Sequence, residues 1–238
     1  MFSTLFGSKK RFMLPNAGQP AAYEDVRRKM RSGDVVLFGG HSPMSMTIKR
    51  FTYSWVSHVG MVYRPGNEGP VLLLESTTGE GMGEGLKPEA AMSGVRVKSL
   101  REKIKGYAGH VAIRHLEGER SFTDGQVEDF RRVFEGRPYE QNYGDLAFAA
   151  FDIGFRGGEE DLSSLFCSEL VAEFYQRVGL IPEALPSDDF VPADFAENIQ
   201  RGPLRSDDAA WDMLNQPLGE DQGAQLGPEI FLKVQGAR

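Results

Sequence analysis

The sequence feature that most constrains this chain is a helix pattern that begins near its only cysteine, Cys167. Apolar residues recur after it at the spacing of an amphipathic helix: Leu170, Val171, Phe174, Tyr175 and Val178. Gly179 is placed to end this helix, and Pro182 prevents its continuation. Upstream, Ser163 and Ser164 are candidate N-caps. The pattern therefore predicts that Cys167 lies in the first turn of a helix.

A cysteine in the first turn of a helix has two interpretations. It can be a nucleophile, because the free N–H groups and the helix dipole favour the thiolate of Cys167. It can also be a small buried hydrophobic residue, which is the usual role of a lone intracellular cysteine. The helix pattern leaves both interpretations open, and a histidine partner would favour the nucleophile.

Composition narrows the class of protein. The 238 residues correspond to one large domain or two small ones, and an apolar content of 40% supports an ordinary packed core. A formal charge of −7 argues against a nucleic-acid partner, because phosphate backbones require a positive protein face. A single cysteine cannot form an internal disulfide, which favours a reducing compartment and predicts a cytoplasmic location.

The chain divides into three regions. Residues 1–21 are expected to be a flexible leader, because the basic residues follow a very short apolar run, unlike in a secretory signal. Peripheral membrane contact by this leader is the alternative, and no run approaches the about 18 apolar residues of a membrane span. Residues 22–202 form the predicted domain. Recurrent prolines predict a loosely structured tail over 203–238.

The predicted strands cluster in the first half of the chain and the predicted helices in the second. Residues Gly33–Phe38 predict a turn followed by a buried strand, and further strands are predicted at Val56–Tyr63, Val71–Ser76, Gly94–Lys98 and His110–Arg114. The helical segments lie at Ala22–Arg31, Ser45–Tyr53, Leu100–Ile104, Val127–Phe134 after a capping box at Thr123, Asp145–Phe155 and Ala193–Arg201. This order predicts an α+β fold around one sheet.

His58 is the best candidate partner for the thiol. It lies in a predicted strand, and a hairpin that turns near Asn67 places it opposite about Ser76. A bulge would bring Glu75 directly beside it. A carboxylate there would fix the imidazole tautomer and leave the other ring nitrogen for Cys167. The alternative is that Glu75 is a solvated strand end and His58 a core residue.

The other candidates are less specific. His41 is the fallback base, whereas His110 and His115 have no obvious acidic partner and are expected to be structural. Three further residues are candidates for the cleft and for substrate binding: Tyr139, Tyr143 and Asp145.

No metal or cofactor is expected. One cysteine and scattered histidines lack the paired spacing of a metal site. The glycine-rich segment Gly79–Gly85 lacks the Gly-Lys-Ser/Thr ending of a phosphate loop, and its glutamates would repel phosphate.

Three segments, taken with Glu75, resemble the permuted papain-like cysteine hydrolases of the YiiX type, within the wider NlpC group. They are Gly33-Asp34-Val35-Val36, Ser57-His58-Val59-Gly60-Met61-Val62 and Phe166-Cys167-Ser168-Glu169-Leu170-Val171, and the resemblance covers about Gly33–Ile181. In that family the histidine strand and the acidic residue precede the cysteine helix. The resemblance implies a papain-like α+β fold in circularly permuted order, with an antiparallel sheet packed against the cysteine-bearing helix.

The resemblance also implies an activity. Cys167 would be the nucleophile, His58 the general base and Glu75 the orienting residue of an amidase or peptidase. This enzyme would cleave a peptide or N-acyl lipid amide through a thioacyl intermediate. The family also resembles lecithin retinol acyltransferase relatives, so a thiol acyltransferase or lipid hydrolase is a second hypothesis. A non-catalytic binding module is a third, since a fold does not guarantee a working site. The sequence does not indicate an oligomeric state.

Overall fold

The computed structural model describes residues 19–66, 69–77, 94–138, 166–197, 209–215 and 225–234. The strands are β1 (Val35–Gly40), β2 (His58–Tyr63), β3 (Leu72–Thr77), β4 (Gly94–Ser99), β5 (Gly109–Arg114), β6 (Leu116–Glu117), β7 (Gln225–Leu226) and β8 (Ile230–Phe231). The α-helices are α1 (Tyr23–Val26), α2 (Pro43–Thr52), α3 (Leu100–Lys105), α4 (Asp124–Phe134), α5 (Cys167–Arg177) and α6 (Ala209–Asn215). Short 3-10 helices cover Ser187–Asp189 and Pro192–Phe195.

The central element is a six-stranded sheet with the order β4-β3-β2-β1-β5-β8. Each neighbouring pair in this sheet is antiparallel. β6 and β7 form a second, two-stranded antiparallel sheet. The fold is therefore a mixed α/β arrangement around a mostly antiparallel sheet. The strands of the first half of the chain lie within a few residues of the segments that the sequence predicts.

Both faces of the central sheet are covered, which explains why its inner strands are apolar at successive positions. Val35 and Leu37 of β1 pack on one face with apolar residues of α4 and α5. Val36 and Phe38 pack on the other face with residues of α1 and α3. All six residues of β1 are buried. The neighbouring strand β2 begins at His58, so this histidine lies at one end of a fully packed sheet.

The C-terminal region differs from the loosely structured tail expected over 203–238. Its described residues form α6, β7 and β8, and β8 joins the central sheet beside β5. Phe231 of β8 packs against Trp55, with ring centroids 5.0 Å apart. The indole Nε1 of Trp55 donates to Oε2 of Glu229 at 3.2 Å. These contacts explain why a proline-containing segment with little periodicity is ordered.

Arg114 of β5 attaches the C-terminal region to the sheet. Its buried guanidinium donates to the carbonyl oxygens of Phe195, Leu226 and Gly227 at 2.9, 2.8 and 2.6 Å. It also donates to Oδ1 of Asn215 at 2.6 Å. A planar group with five N–H donors suits this convergence of acceptors. Three separate parts of the chain are thus attached to β5 by one side chain.

The helix ends follow local chemistry. α4 begins with the predicted capping box, in which the N–H of Thr123 donates to Oε1 of Gln126 at 3.0 Å. Gly179 has a φ of 74°, which confirms its predicted place after the end of α5. α1 is shorter than the predicted segment, and Arg64 Nη1 donates to the carbonyl oxygens of Arg27 and Met30 beyond its end at 3.2 and 2.9 Å.

Two predicted helices are not found as α-helices in the described residues. The segment expected at Ala193–Arg201 forms a 3-10 helix over Pro192–Phe195, and residues 198–201 lie outside the described ranges. The helix expected at Asp145–Phe155 lies wholly outside them. Within the described ranges, no helix combines the length and the apolar character that crossing a membrane requires.

Candidate active site

Cys167 is the first residue of α5, as its sequence pattern predicts. The N-cap is Phe166, whose N–H donates to Oε2 of Glu169 at 3.0 Å. The expected caps, Ser163 and Ser164, lie outside the described residues and are not the N-cap. A glutamate of the first turn thus satisfies the backbone N–H at this cap.

The thiol of Cys167 is buried and receives several hydrogen bonds. They come from the ring of His58 and from the backbone N–H groups of Val59 and Ser168. Burial alone raises the pKa of a thiol, but the charge of His58 and these hydrogen bonds outweigh it and lower the pKa of Cys167. The sulfur therefore lies in surroundings that favour the thiolate.

His58 links the thiol to a carboxylate. Its Nε2 lies 2.8 Å from Oε2 of Glu75, which leaves Nδ1 for the thiol of Cys167. Burial opposes the charged imidazolium. The charge and hydrogen bond of Cys167, followed by those of Glu75, outweigh burial and raise the pKa of His58 to about 9. The arrangement favours a thiolate–imidazolium pair.

Glu75 reaches His58 along a diagonal between β2 and β3. The observed register places Glu75 opposite Gly60, two residues from His58 and on the same face of the sheet. The sequence-based expectation put Ser76 opposite His58 and required a bulge to bring Glu75 beside it. The actual register is shifted by one residue, and the length of the glutamate side chain spans the remaining distance.

Gly60 provides the space for this diagonal contact. A Cβ atom at Gly60 would lie 3.3 Å from Cβ of Glu75 and 3.1 Å from the carbonyl oxygen of Leu74. It would also lie 2.8 Å from Cδ1 of Leu73, a separation that real Cβ atoms do not tolerate. Any larger residue here would require Leu73 to move and its neighbours on β3 to give way, so the close approach of the strands favours glycine.

Two cations that the sequence analysis missed surround Glu75. Lys103 of α3 donates from Nζ to Oε1 and Oε2 of Glu75 at 3.0 and 2.9 Å. Nε of Arg96 on β4 lies 3.5 Å from Oε1. Glu75 therefore bonds a lysine as well as His58. A carboxylate buried on a covered sheet needs a cation beside it. This requirement is the feature of the sequence that could have indicated a lysine or arginine near Glu75.

The electrostatics of Glu75 follow from these contacts. The residue is fully buried, with an exposed fraction of 0%. Burial raises the pKa of a carboxyl group, but the charge of Lys103 and the hydrogen bond and charge of His58 hold the pKa of Glu75 well below its usual value. Glu75 is thus ionised, and it presents a carboxylate to His58.

The remaining histidines lie elsewhere. The rings of His41 and His110 are both exposed and lie 6.2 Å apart at a near-perpendicular angle. Nδ1 of His115 lies 2.7 Å from Oδ2 of the buried Asp34. The expectation that His115 has no acidic partner is therefore wrong. Because the histidine hydrogen-bonded to Cys167 is His58, the fallback base His41 is not needed.

The carboxylate of Asp34, in the turn before β1, accepts hydrogen bonds from neighbouring segments. Its Oδ1 accepts from Nη2 of Arg120 at 2.5 Å and from the N–H of Leu116 at 3.1 Å. Its Oδ2 accepts from the N–H of Arg31 at 2.9 Å. These bonds tie the start of β1 to the segment after β5, and we interpret them as structural.

Some predicted site residues cannot be placed. Tyr139, Tyr143, Asp145 and the glycine-rich segment Gly79–Gly85 lie outside the described residues. Within those residues, no three histidine, cysteine, aspartate or glutamate side chains are grouped so as to hold a metal ion.

Comparisons with known proteins give limited information. No family model matches the chain, and a search of curated proteins finds no match. Among solved structures, a crystal structure of the metalloprotein YiiX (DUF1105) from Escherichia coli O157:H7 matches with a TM-score of 0.43 and 20% sequence identity. The match covers 64% of this chain and 68% of that chain. Because this likeness is weak, we interpret the site from its own geometry.

Proposed function

We propose that this chain is a cysteine-dependent amide hydrolase, an amidase or peptidase. Cys167 is its nucleophile, His58 its general acid and base, and Glu75 the residue that orients His58. The observation that carries the proposal is the continuous series of hydrogen bonds from the thiol through the imidazole to the carboxylate. A nucleophile, a base and a group that orients the base are the parts that acyl transfer requires.

The first half of the reaction forms a thioester. The thiolate of Cys167 attacks the amide carbonyl carbon, so that a C–S bond forms and the carbonyl oxygen becomes an oxyanion. The N–H of Cys167 lies in the first turn of α5, where it has no partner within the helix, and is the proposed donor to that oxygen. As the C–N bond breaks, His58 gives its proton to the leaving amine. Glu75 holds the ring in orientation throughout this transfer.

The second half releases the acid. Neutral His58 takes a proton from a water molecule, whose oxygen attacks the thioester carbon. The C–S bond then breaks, and Cys167 leaves as a thiolate beside the newly protonated His58. The raised pKa of about 9 for His58 favours this recovery of the ion pair at neutral pH. The site therefore returns to its starting state after each cycle.

The proposed fold is papain-like with a circularly permuted order. Its support is that His58 and Glu75 lie on adjacent strands that precede α5 in the chain, and that α5 packs across both strands. The proposed substrate is a peptide or N-acyl lipid amide. The chain has a single cysteine and can form no internal disulfide, which suits a reducing compartment, and the proposed location is cytoplasmic.

Thiol reactivity tests the proposal without a known substrate. We expect iodoacetamide to alkylate Cys167 at about pH 6 much faster than it alkylates a free peptide thiol, since only the thiolate reacts. His58→Ala should remove this advantage. Its matched control is His110→Ala, which changes an exposed histidine elsewhere and should leave the alkylation rate unchanged. A wild-type rate equal to that of the free thiol would contradict the proposal.

Turnover identifies the reaction. The full chain is incubated separately with peptide p-nitroanilides, a long-chain N-acyl ethanolamine and phospholipid vesicles, and its intact mass is recorded. Amine release that Cys167→Ala abolishes supports the hydrolase. A persistent acyl adduct from phospholipid, passed on to an added amine, would replace it with the acyltransferase. A biological activity fully retained in Cys167→Ala would favour a binding module.

A further inference from the structure

We infer that Lys103 is a positioning residue of this site, which keeps Glu75 charged and so extends the Cys167–His58 ion pair to low pH. The inference rests on the proposed function for its catalytic meaning. Its geometry is independent of that function, because Lys103 contacts neither the thiol nor the imidazole in the hydrogen bonds of the described residues.

Lys103 is held in place from two sides. Its Nζ bonds both oxygens of Glu75 at 2.9 and 3.0 Å, and the side chain is only 13% exposed. The same Nζ lies 5.5 Å from the ring centroid of Phe38, whose ring lies 5.5 Å from that of His58. Lys103, Phe38, Glu75 and His58 therefore form one packed group on the face of the sheet that α3 covers.

Lys103 is the chief cation that keeps Glu75 ionised. Its charge is the largest single contribution that lowers the pKa of Glu75, against a burial that would otherwise raise it. Nε of Arg96 is a more distant cation at 3.5 Å from Oε1. The charged and titratable groups around the carboxylate are His58 from β2, Arg96 and Lys98 from β4, Lys103 from α3 and Tyr107 just after α3.

Loss of the lysine charge has a defined direction. Without it, burial raises the pKa of Glu75, so Glu75 is protonated over part of the acid range. A protonated Glu75 no longer stabilises imidazolium at His58, and the thiolate of Cys167 in turn loses its counter-charge. The acid limb of thiol reactivity therefore moves to higher pH. At higher pH the alkylation profile does not change, because Glu75 is ionised there in either case.

The pH profile of Cys167 alkylation by iodoacetamide tests this inference. In Lys103→Met, which keeps the length of the side chain without its charge, we expect the acid-limb midpoint to rise by about one unit, or about tenfold slower alkylation below it. Lys103→Arg should restore most of the wild-type profile. Lys105→Met removes the same charge from an exposed position of the same helix and should leave the profile unchanged.

A double variant separates a positioning role from a loss of folding. In Glu75→Gln no carboxylate remains to be kept ionised, so adding Lys103→Met should move the midpoint no further. Equal shifts in the presence and absence of Glu75 would overturn the inference. So would an unshifted Lys103→Met profile when wild-type Cys167 reacts rapidly at low pH. A wild-type thiol of ordinary reactivity would instead overturn the proposed function itself.

Discussion

The carboxylate of Glu75 lies 2.8 Å from Nε2 of His58, although the two residues do not face each other directly across β2 and β3. Gly60 occupies the position opposite Glu75 and leaves the path open. The orientation of the imidazole thus depends on the register of two strands, on one glycine and on a carboxylate held by Lys103. Substitutions of these residues should therefore change the activity of the site.

Glu75→Gln should lower activity and also stability. The neutral amide cannot stabilise imidazolium at His58, and we expect kcat/KM to fall by about 100-fold or more. It also leaves Lys103 with a weaker partner in a mostly buried position, which costs about 2 kcal/mol of unfolding free energy. Steady-state kinetics and urea unfolding measure the two effects.

The control for Glu75→Gln is Glu135→Gln, which removes an exposed carboxylate that pairs with Arg131. Its unfolding free energy should change by less than about 1 kcal/mol, and its activity should not change. Full activity in Glu75→Gln would mean that Glu75 serves Lys103 and the fold alone.

Gly60→Ala adds only one methyl group, but we expect it to impair the site. The new methyl group would lie 2.8 Å from Leu73 Cδ1 and 3.3 Å from Cβ of Glu75, so these side chains must shift. We expect a loss of about 1–3 kcal/mol in unfolding free energy and slower alkylation of Cys167 by iodoacetamide.

Gly125→Ala is the matched control for this substitution. Gly125 lies in α4, where an added Cβ has its nearest contact at 3.6 Å from Thr123 Oγ1. We expect an unchanged or slightly higher melting temperature, since alanine favours the helix. If both variants alkylate at the wild-type rate, the space at Gly60 does not position Glu75.

The acid dependence of stability should carry a contribution from Glu75. Its pKa is held below the unfolded value of 4.5, so its contribution is fully present above about that pH and is lost as the pH falls through the lower folded pKa. Chemical unfolding at a series of pH values should therefore show a shallower acid loss in Glu75→Gln than in the wild type. Parallel losses would show that Glu75 is not ionised in the folded state.

Much of the central sheet and the core of the site could be predicted from sequence. Local patterns indicate the inner strands, α4 and α5, because their apolar spacing and caps depend on neighbouring residues only. The choice of Cys167, His58 and Glu75 followed from residue chemistry and from resemblance, and the structure brings these three side chains together. Their chemical roles remain proposals.

The rest depends on contacts between distant parts of the chain. A difference of one residue in the β2–β3 register decides whether Glu75 meets His58 directly or diagonally, and the hairpin pattern does not fix it. Lys103 belongs to a helical turn that was predicted, but only packing of that turn on the sheet reveals its contact with Glu75. The strand Ile230–Phe231 is too short for any periodic pattern to predict it.

Turnover and alkylation should separate at high pH. The pKa of His58 is raised to about 9, so above this pH the residue loses the proton that it gives to the leaving amine. We expect kcat/KM to decline above about pH 9, whereas alkylation stays fast because Cys167 remains a thiolate. Measuring kcat/KM and the alkylation rate over the same pH range shows the difference. A decline in turnover already complete at neutral pH would exclude His58 as the proton donor.

Arg114→Met should loosen the C-terminal region without changing the thiol. The substitution removes the donors that serve Phe195, Asn215, Leu226 and Gly227, and we expect a loss of about 2–4 kcal/mol in unfolding free energy. Amide hydrogen exchange should accelerate at Leu232, whose N–H donates to the carbonyl oxygen of Val111. Alkylation of the thiol should keep its wild-type pH profile, because Arg114 lies outside the site.

Arg132→Met is the matched control, because this arginine is 67% exposed on α4 and pairs with Glu128. We expect it to change the unfolding free energy by less than about 1 kcal/mol and to leave exchange at Leu232 unchanged. Equal effects of the two substitutions would mean that loss of positive charge, rather than loss of buried donors, destabilises the chain. A specific effect of Arg114→Met would show that the buried donors of Arg114 help to hold the C-terminal strand to the sheet.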